Sequence, residues 1–454
     1  MAPSPTPPAA ATPQDAEPPE VQSPDADTPP PAPHTDADAD ADADADAAPL
    51  PDAEAPKPDS PAAPQPHLPE GILEDIFLRL PTAGDVARAS AACSAFRAIT
   101  SGQPFRRRFR ALHRAPLLGF LREDFYPARA PHPSAPAARA LAGAADFAFS
   151  FLPGDADCWS PRDARDGRVL FSAVPASHGR GSFADATSTT FVDLVVADPL
   201  SRRCARVPPV PDGLASPVLR CGMLDFEPFL APATAEDLRD EDAPFRVIGK
   251  VLCEDRVAVF AFSSRTGEWR SHGSSDLSND FALDALYERR HYVQGCFCWL
   301  LEWMEKLLML DAGTMEFSIL DLPPGNDERR FAILEAGQGR IGLLNIGRNT
   351  LDLYYKAWPS KRGGAQAWQH ETKDHPLPDY HWRIIGSDEE YLLLRGISLD
   401  WPWFGSASSE SPNIEYFALE LKALRLERMY VSKHKMLHAH LYRGYPPQIS
   451  APTL

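Results

Sequence analysis

His434, His438 and His440 lie close together near the end of the chain, and the last two share a face if the segment is a strand. Imidazoles spaced this way can ligate a divalent cation. Lys433 and Lys435 interrupt the run, however, and their charge opposes a cation, so the expected role is a solvated or packed strand. Cys296 and Cys298 likewise place two sulfurs on one strand face. Zinc sites ordinarily use a two-residue gap and a second pair, which points instead to a core strand. The chain has no Gly-x-Ser-x-Gly elbow, no phosphate-binding Gly-Lys-Ser/Thr loop and no His-Glu-x-x-His helix. No catalytic residue, metal or cofactor is therefore expected.

Chemistry that binds rather than reacts is better represented. Asp400-Trp401-Pro402-Trp403-Phe404-Gly405 precedes a Ser-rich stretch and reads as a loop, where Trp401, Trp403 and Phe404 could present aromatic anchors to a protein target. Arg106, Arg107, Arg108 and Arg110 form a basic knot beside Phe105 and Phe109, expected to be the wet face of a helix. The 454 residues carry a formal net charge of -18. Residues 1–66 hold fourteen Asp and Glu against Lys57, so they contribute -13 and the remainder only -18 + 13 = -5. Such a balance does not call for nucleic acid or an anionic membrane as partner.

The elements that must position these residues begin after the acidic stretch. Residues 1–66 are rich in Pro, Ala and Asp, alternate Asp and Ala from Asp36 to Ala47, and cannot bury enough surface to offset ordering entropy, so a disordered tail is expected. The Asp-Ala run lacks the central Gly and closing Glu of a calcium loop. No signal-peptide pattern and no run of 18 apolar residues is found, and seven scattered cysteines imply free thiols in a reducing compartment.

Residues 67–113 predict three helices. Ile72, Leu73, Ile76, Phe77 and Leu80 gather on one face of the first, which Pro81 stops. Thr82 and Asp85 fit a capping box that opens a second helix carrying Val86, Ala89, Cys93, Phe96 and Ile99. A third starts near Ser101, with Pro104 early and Phe105, Phe109 and Leu112 following. So large an apolar stripe on about 45 residues exceeds what so small a unit buries alone.

These residues resemble the F-box, whose pattern runs Leu-Pro, a helix ending Leu-Pro, a Cys-Lys-x-Trp-Arg element and a late Phe. Here the pattern is Leu68-Pro69, Leu80-Pro81, Cys93-Ser94-Ala95-Phe96-Arg97 and Phe105. Ser94 stands where a basic residue is usual and Phe96 where Trp is usual. The resemblance implies docking on the Skp adaptor of a cullin-RING ubiquitin ligase through Leu68, Pro69, Ile72, Leu73, Ile76, Leu80, Pro81, Val86, Ala89, Cys93 and Phe96.

Residues 114–145 are Pro-rich and Ala-rich and read as a linker or a first irregular strand. From residue 146 to 454, short Val, Leu, Ile, Phe and Tyr runs are separated by Gly, Pro, Asp and Ser turns. A weak repeat of strand, polar turn and strand recurs around residues 195–202, 259–269, 308–317 and 416–424. Its period, roughly 45 to 65 residues or a multiple, is the blade scale of a kelch-like β-propeller with about six or seven blades. Phrases such as Ser264-Arg265-Thr266-Gly267-Glu268-Trp269, Gly295-Cys296-Phe297-Cys298-Trp299-Leu300 and Tyr442-Arg443-Gly444-Tyr445-Pro446-Pro447 resemble the F-box-associated propeller region of plant F-box proteins. The expected protein is thus mainly β, a small helical F-box followed by a propeller. The paired resemblances imply a non-catalytic substrate receptor of an SCF-type ubiquitin ligase in cytoplasm or nucleus, with cullin and RING subunits reached through the adaptor. A propeller scaffold whose helices have lost adaptor binding, and a propeller enzyme, are the alternatives.

Overall fold

The capping box of Thr82 and Asp85 forms as the spacing predicts. Thr82 Oγ1 accepts from the Asp85 amide at 3.1 Å while Asp85 Oδ2 accepts from the Thr82 amide at 3.2 Å. The computed structural model describes residues 68–155, 158–174, 191–233, 244–276, 290–301, 305–323, 331–347, 350–358, 367–374, 377–399 and 413–445. The acidic residues 1–66 lie outside these.

Four helices replace the expected three: α1 Glu70–Leu78, α2 Ala83–Ala92, α3 Ser94–Ser101 and α4 Gln103–Leu112. The expected second helix breaks at Cys93, whose backbone is extended and whose Sγ accepts from the Phe96 amide at 3.4 Å. Cys93 thereby becomes the N-cap of a new helix, a device that periodicity alone does not reveal because apolar spacing continues across the break. Pro104 sits in the first turn of α4, where a missing N–H costs least. Phe77, Leu78, Ala83, Val86, Phe105 and Phe109 form the helical core, with Phe96 set edge-on to Phe77 at 5.0 Å.

Residues 114–145, expected as a linker or a first irregular strand, carry β1 Leu117–Leu121, β2 Phe125–Pro127 and α5 Ala135–Ala144. All five residues of β1 are buried. Gly119 is required there, since a Cβ would lie 2.4 Å from the Tyr126 carbonyl oxygen.

Five four-stranded antiparallel sheets follow in chain order. The first blade is β3 Trp159–Arg165, β4 Arg168–Ala173, β5 Leu194–Asp198 and β6 Arg203–Val207. Helix α6, Asp212–Arg220, leads to the second: β7 Met223–Leu230, β8 Arg246–Cys253, β9 Arg256–Ser263 and β10 Glu268–Asp276. The third comprises β11 Arg290–Val293, β12 Cys296–Leu301, β13 Lys306–Asp311 and β14 Phe317–Asp321. The fourth comprises β15 Phe331–Glu335, β16 Arg340–Ile346, β17 Thr350–Ala357 and β18 Gln369–Asp374, and the fifth β19 Tyr380–Ser387, β20 Tyr391–Ser398, β21 Ile414–Glu420 and β22 Arg425–Ser432. The last strand, β23 His440–Arg443, pairs with β1, and β1 with β2, giving a sixth, three-stranded blade. The protein is a mainly β, six-bladed propeller with N-terminal helices.

Burial explains the sequence pattern blade by blade. Middle strands such as β4, β5, β12 and β13 are buried along nearly their whole length, because both faces of a blade pack on its neighbours, so they read as unbroken apolar runs. Fourth strands such as β6 and β14 are largely exposed and polar. The weak repeat corresponds to the third-to-fourth-strand turn of blades one, two, three and five. Each such turn places a residue in the left-handed region four positions after the third strand ends: Arg202, Gly267, Met315 and Leu424, with φ of 56°, 71°, 58° and 50°. Two of the turns open on an aspartate whose Oδ1 accepts from the two following turn amides, Asp198 from Leu200 and Ser201, and Asp311 from Gly313 and Thr314.

The sixth blade joins the two ends of the propeller. Phe120, Ile397, Tyr416, Leu441 and Tyr442 belong to one cluster that also reaches Phe171 and Val195 of the first blade. The Tyr442 hydroxyl donates to the Gly167 carbonyl at 3.0 Å. Ending the chain before His440 is expected to abolish cooperative thermal unfolding, as it removes the strand that closes the ring. Tyr442→Phe should lower stability by only about 1 kcal/mol, the usual worth of one hydrogen bond, in urea melts.

Candidate interaction face and the charged axis

The pitch of α1 divides its apolar residues between two faces. Leu73, Phe77 and Leu80 turn toward the helical core, whereas Leu68, Ile72 and Ile76 are 51%, 48% and 44% exposed. Ile72 and Ile76 are separated by one turn, so they form a short continuous ridge with Leu68 at its start. Full burial of a large aliphatic side chain is worth roughly 1.5–3 kcal/mol, of which about half is forgone at each of these half-exposed positions. Pro69, Pro81 and Cys93 are also exposed, and Ala89 and Phe96 are half-buried against the core. Val86 is a correction to the expected docking set: it is 1% exposed and holds the helices together, leaving no side chain to offer. Leu112, at the end of α4, is 66% exposed and has no place in that set.

The basic knot is only partly a solvated face. Arg108 bridges to α1 through Glu74 at 2.8 Å and Asp75 at 3.3 Å, fixing α4 against the helix that bears the ridge. Arg107 remains exposed. At the far end of α4 the chain enters the propeller through a set of polar ties. His113 Nε2 meets the Leu78 carbonyl at 2.7 Å, and Tyr445 donates its hydroxyl to the carbonyls of Arg110 and His113 while packing on the helical core. Arg443 Nε donates to the Ala115 carbonyl at 3.0 Å, and Arg114 and Arg443 both pair with Glu390 in the turn between β19 and β20. The helices are therefore held by the fifth and sixth blades.

A second concentration of charge occupies the propeller axis, where first strands of neighbouring blades run beside one another. Asp163 of β3 accepts from the Leu230 amide at 2.9 Å and from Arg290 at 3.0 Å. Arg290 of β11 also reaches Glu227 of β7 at 2.6 Å, and the other oxygen of Glu227 takes Lys250 at 2.8 Å and the Trp299 indole N–H at 2.9 Å. Phe229 lies beneath the Arg290 guanidinium and Trp299 beneath the Lys250 ammonium, at 4.2 and 4.6 Å. Burial alone would push the Glu227 carboxyl up, but Lys250 and Arg290 outweigh it and hold the group at about 2. These charges satisfy one another, so they act as a bracket across three blades. No local pattern betrays them, because each comes from a different strand, β3, β7, β8 and β11.

His438 and His440 have adjoining rings, 6.1 Å between centroids, and burial depresses His440 to about 4. His434 is exposed, and its carbonyl accepts from the Tyr416 hydroxyl at 2.7 Å. Among the described residues no three His, Cys, Asp or Glu side chains are grouped to hold a metal ion. Cys296 and Cys298 are buried in β12 as a core strand requires, and burial pushes their thiols up, Cys296 to about 11. Trp401, Trp403 and Phe404 lie outside the described residues.

No protein-family model and no curated protein matches the chain. Among solved structures it is similar to a mutant of the GH43 protein BlXynB from Bacillus licheniformis, at 9% identity over 64% of this chain and 59% of that one, TM-score 0.29. It is also similar to YCF48 of Cyanidioschyzon merolae, at 9% identity over 59% and 69%, TM-score 0.31, and to TolB of Acinetobacter baumannii, at 11% over 60% and 68%, TM-score 0.26. The chain thus spans less than two thirds of the first of these. Likenesses so distant carry no activity over to it.

The axial bracket makes stability depend on acid in a defined window. A carboxyl held below its ordinary value contributes fully above that value and loses its contribution as pH falls through the folded one. For Glu227 this window runs from 4.5 down to about 2. Glu227→Gln should therefore flatten the acid limb of a stability-versus-pH curve there. At pH 7 it should cost roughly 3 kcal/mol, because Lys250 loses its buried partner.

Proposed function

We propose that this chain is the substrate-recognition subunit of an SCF-type E3 ubiquitin ligase, its helices docking a Skp-family adaptor and its propeller holding a target protein. The observation that carries the reading is the outward ridge of Leu68, Ile72 and Ile76 on a helical unit whose own core closes without it. That ridge stands where the F-box order of Leu68-Pro69, Leu80-Pro81, Cys93, Phe96 and Phe105 places the adaptor contacts. The two departures from the motif also have a local rationale. Phe96 supplies the ring that packs on Phe77, and Ser94 opens α3 behind the Cys93 cap.

In this role the chain needs no reacting group of its own. Holding a target lysine near a ubiquitin-charged carrier raises the local concentration of the amine, and the transfer itself belongs to other subunits. Rigid ties between α4 and the propeller, through Tyr445, Arg443 and Arg114, favour such positioning because they fix the target domain relative to the adaptor. Cullin and RING subunits would be reached through the adaptor, and the place of action would be cytoplasm or nucleus.

Ile76→Asp tests the reading directly. A charge driven into an apolar interface costs several kcal/mol, so adaptor co-purification should fall at least a hundredfold while the melting temperature barely moves, since Ile76 is exposed. Replacing Leu68 and Pro69 by Ala should weaken capture in the same direction. Undiminished capture by the folded Ile76→Asp protein defeats the proposal. Val86→Asp serves as the contrast, expected to lose the helices themselves.

A further inference from the structure

Arginine and lysine are distributed unequally along the chain. Of 45 basic residues 36 are Arg and nine are Lys, and residues 58–305 contain 26 Arg but a single Lys, Lys250. From residue 306 onward there are ten Arg and seven Lys. A uniform codon pressure would act on the whole chain alike and does not produce ratios of 26:1 and 10:7. Lys250 is itself out of reach, with its side chain 8% exposed and its ammonium paired to Glu227 over the Trp299 ring. The helices, β1 and β2, the first two blades and the start of the third thus carry positive charge with no accessible primary amine. Exposed arginines are plentiful there, among them Arg107 on α4, Arg206 on β6 and Arg220 on α6. The exposed Lys422 and Lys435 belong to the fifth blade and the segment just after it.

The two cations differ in the property that matters for ubiquitin transfer. A lysine can lose a proton, and its amine then attacks the carbonyl carbon of the ubiquitin thioester; the N–C bond forms, the C–S bond breaks, and the carrier's thiolate leaves and is reprotonated by the proton the nitrogen sheds. A guanidinium stays protonated and makes the same ion pairs without a nucleophilic lone pair. We infer that residues 58–305 are built to withhold acceptor amines from the ligase, so that the receptor is spared while a bound target is modified. This rests on the ligase reading above.

The test uses the full chain reconstituted with Skp adaptor, cullin, RING protein, ubiquitin and its activating and carrier enzymes. Arg206→Lys and Arg220→Lys keep the charge at exposed positions, so folding and adaptor capture should be unchanged. Peptide mapping should find ubiquitin remnants at positions 206 and 220, total self-conjugation should rise at least twofold, and the double variant's lifetime in cells should fall by a similar factor unless the proteasome is inhibited. Variants that capture adaptor yet remain unmodified at both positions, or are modified there with no loss of lifetime, overturn the inference and leave the ligase reading standing. A wild-type chain that captures no adaptor defeats that reading and this inference with it.

Discussion

The pairing of β23 with β1 is the contact on which the rest of this molecule depends. Each blade of a propeller buries both faces against neighbours, so a ring open at one point would expose two apolar sheet faces and a row of unpaired backbone groups. Here the seam is closed by four residues, His440–Arg443, laid beside a strand more than three hundred positions earlier. The same residues also secure the helices. Arg443 reaches the Ala115 carbonyl and Glu390, and Tyr445 two positions later inserts among the carbonyls at the end of α4. Ring closure and helix anchoring are therefore one structural event.

What could be read from the sequence was the part governed by neighbours. The Thr82 and Asp85 box, the Phe105 and Phe109 core pair and the burial of Cys296 and Cys298 follow from spacing over a few residues. The blade repeat was legible at four turns because each needs the same left-handed residue after a short polar stretch, and it faded in the fourth blade, where residues 358–368 separate β17 from β18. The sixth blade was obscured for a different reason. Its strands come from opposite ends of the propeller sequence, so no periodic spacing includes them, and the Pro and Ala around β1 imitate a linker.

The candidate face was legible in outline but not in detail. Periodicity put Ile72, Leu73, Ile76, Phe77 and Leu80 on one face of the first helix, and the resemblance joined Val86 of the second to them, yet helix packing turned Phe77 and Val86 inward and left Ile72 and Ile76 outside. A hydrophobic pattern states how many faces must be covered, not which is covered by the chain itself. The axial charges show the complementary limit: Asp163, Glu227, Lys250 and Arg290 are scattered over 128 positions and meet only because three blades converge.

The late position of β23 bears on how the protein is made. Helices α1 to α4 leave the ribosome first, and at typical elongation rates of about 5–20 residues per second the closing strand follows them by roughly 15–70 s. Throughout that interval the helical unit lacks Tyr445, which packs on its core and ties down α4, and β1 waits without its inner partner. A ribosome that stalls anywhere in the last blade leaves a ring with a gap and helices on a loose tether. Premature termination therefore removes the closure of the ring and the anchoring of the helices together.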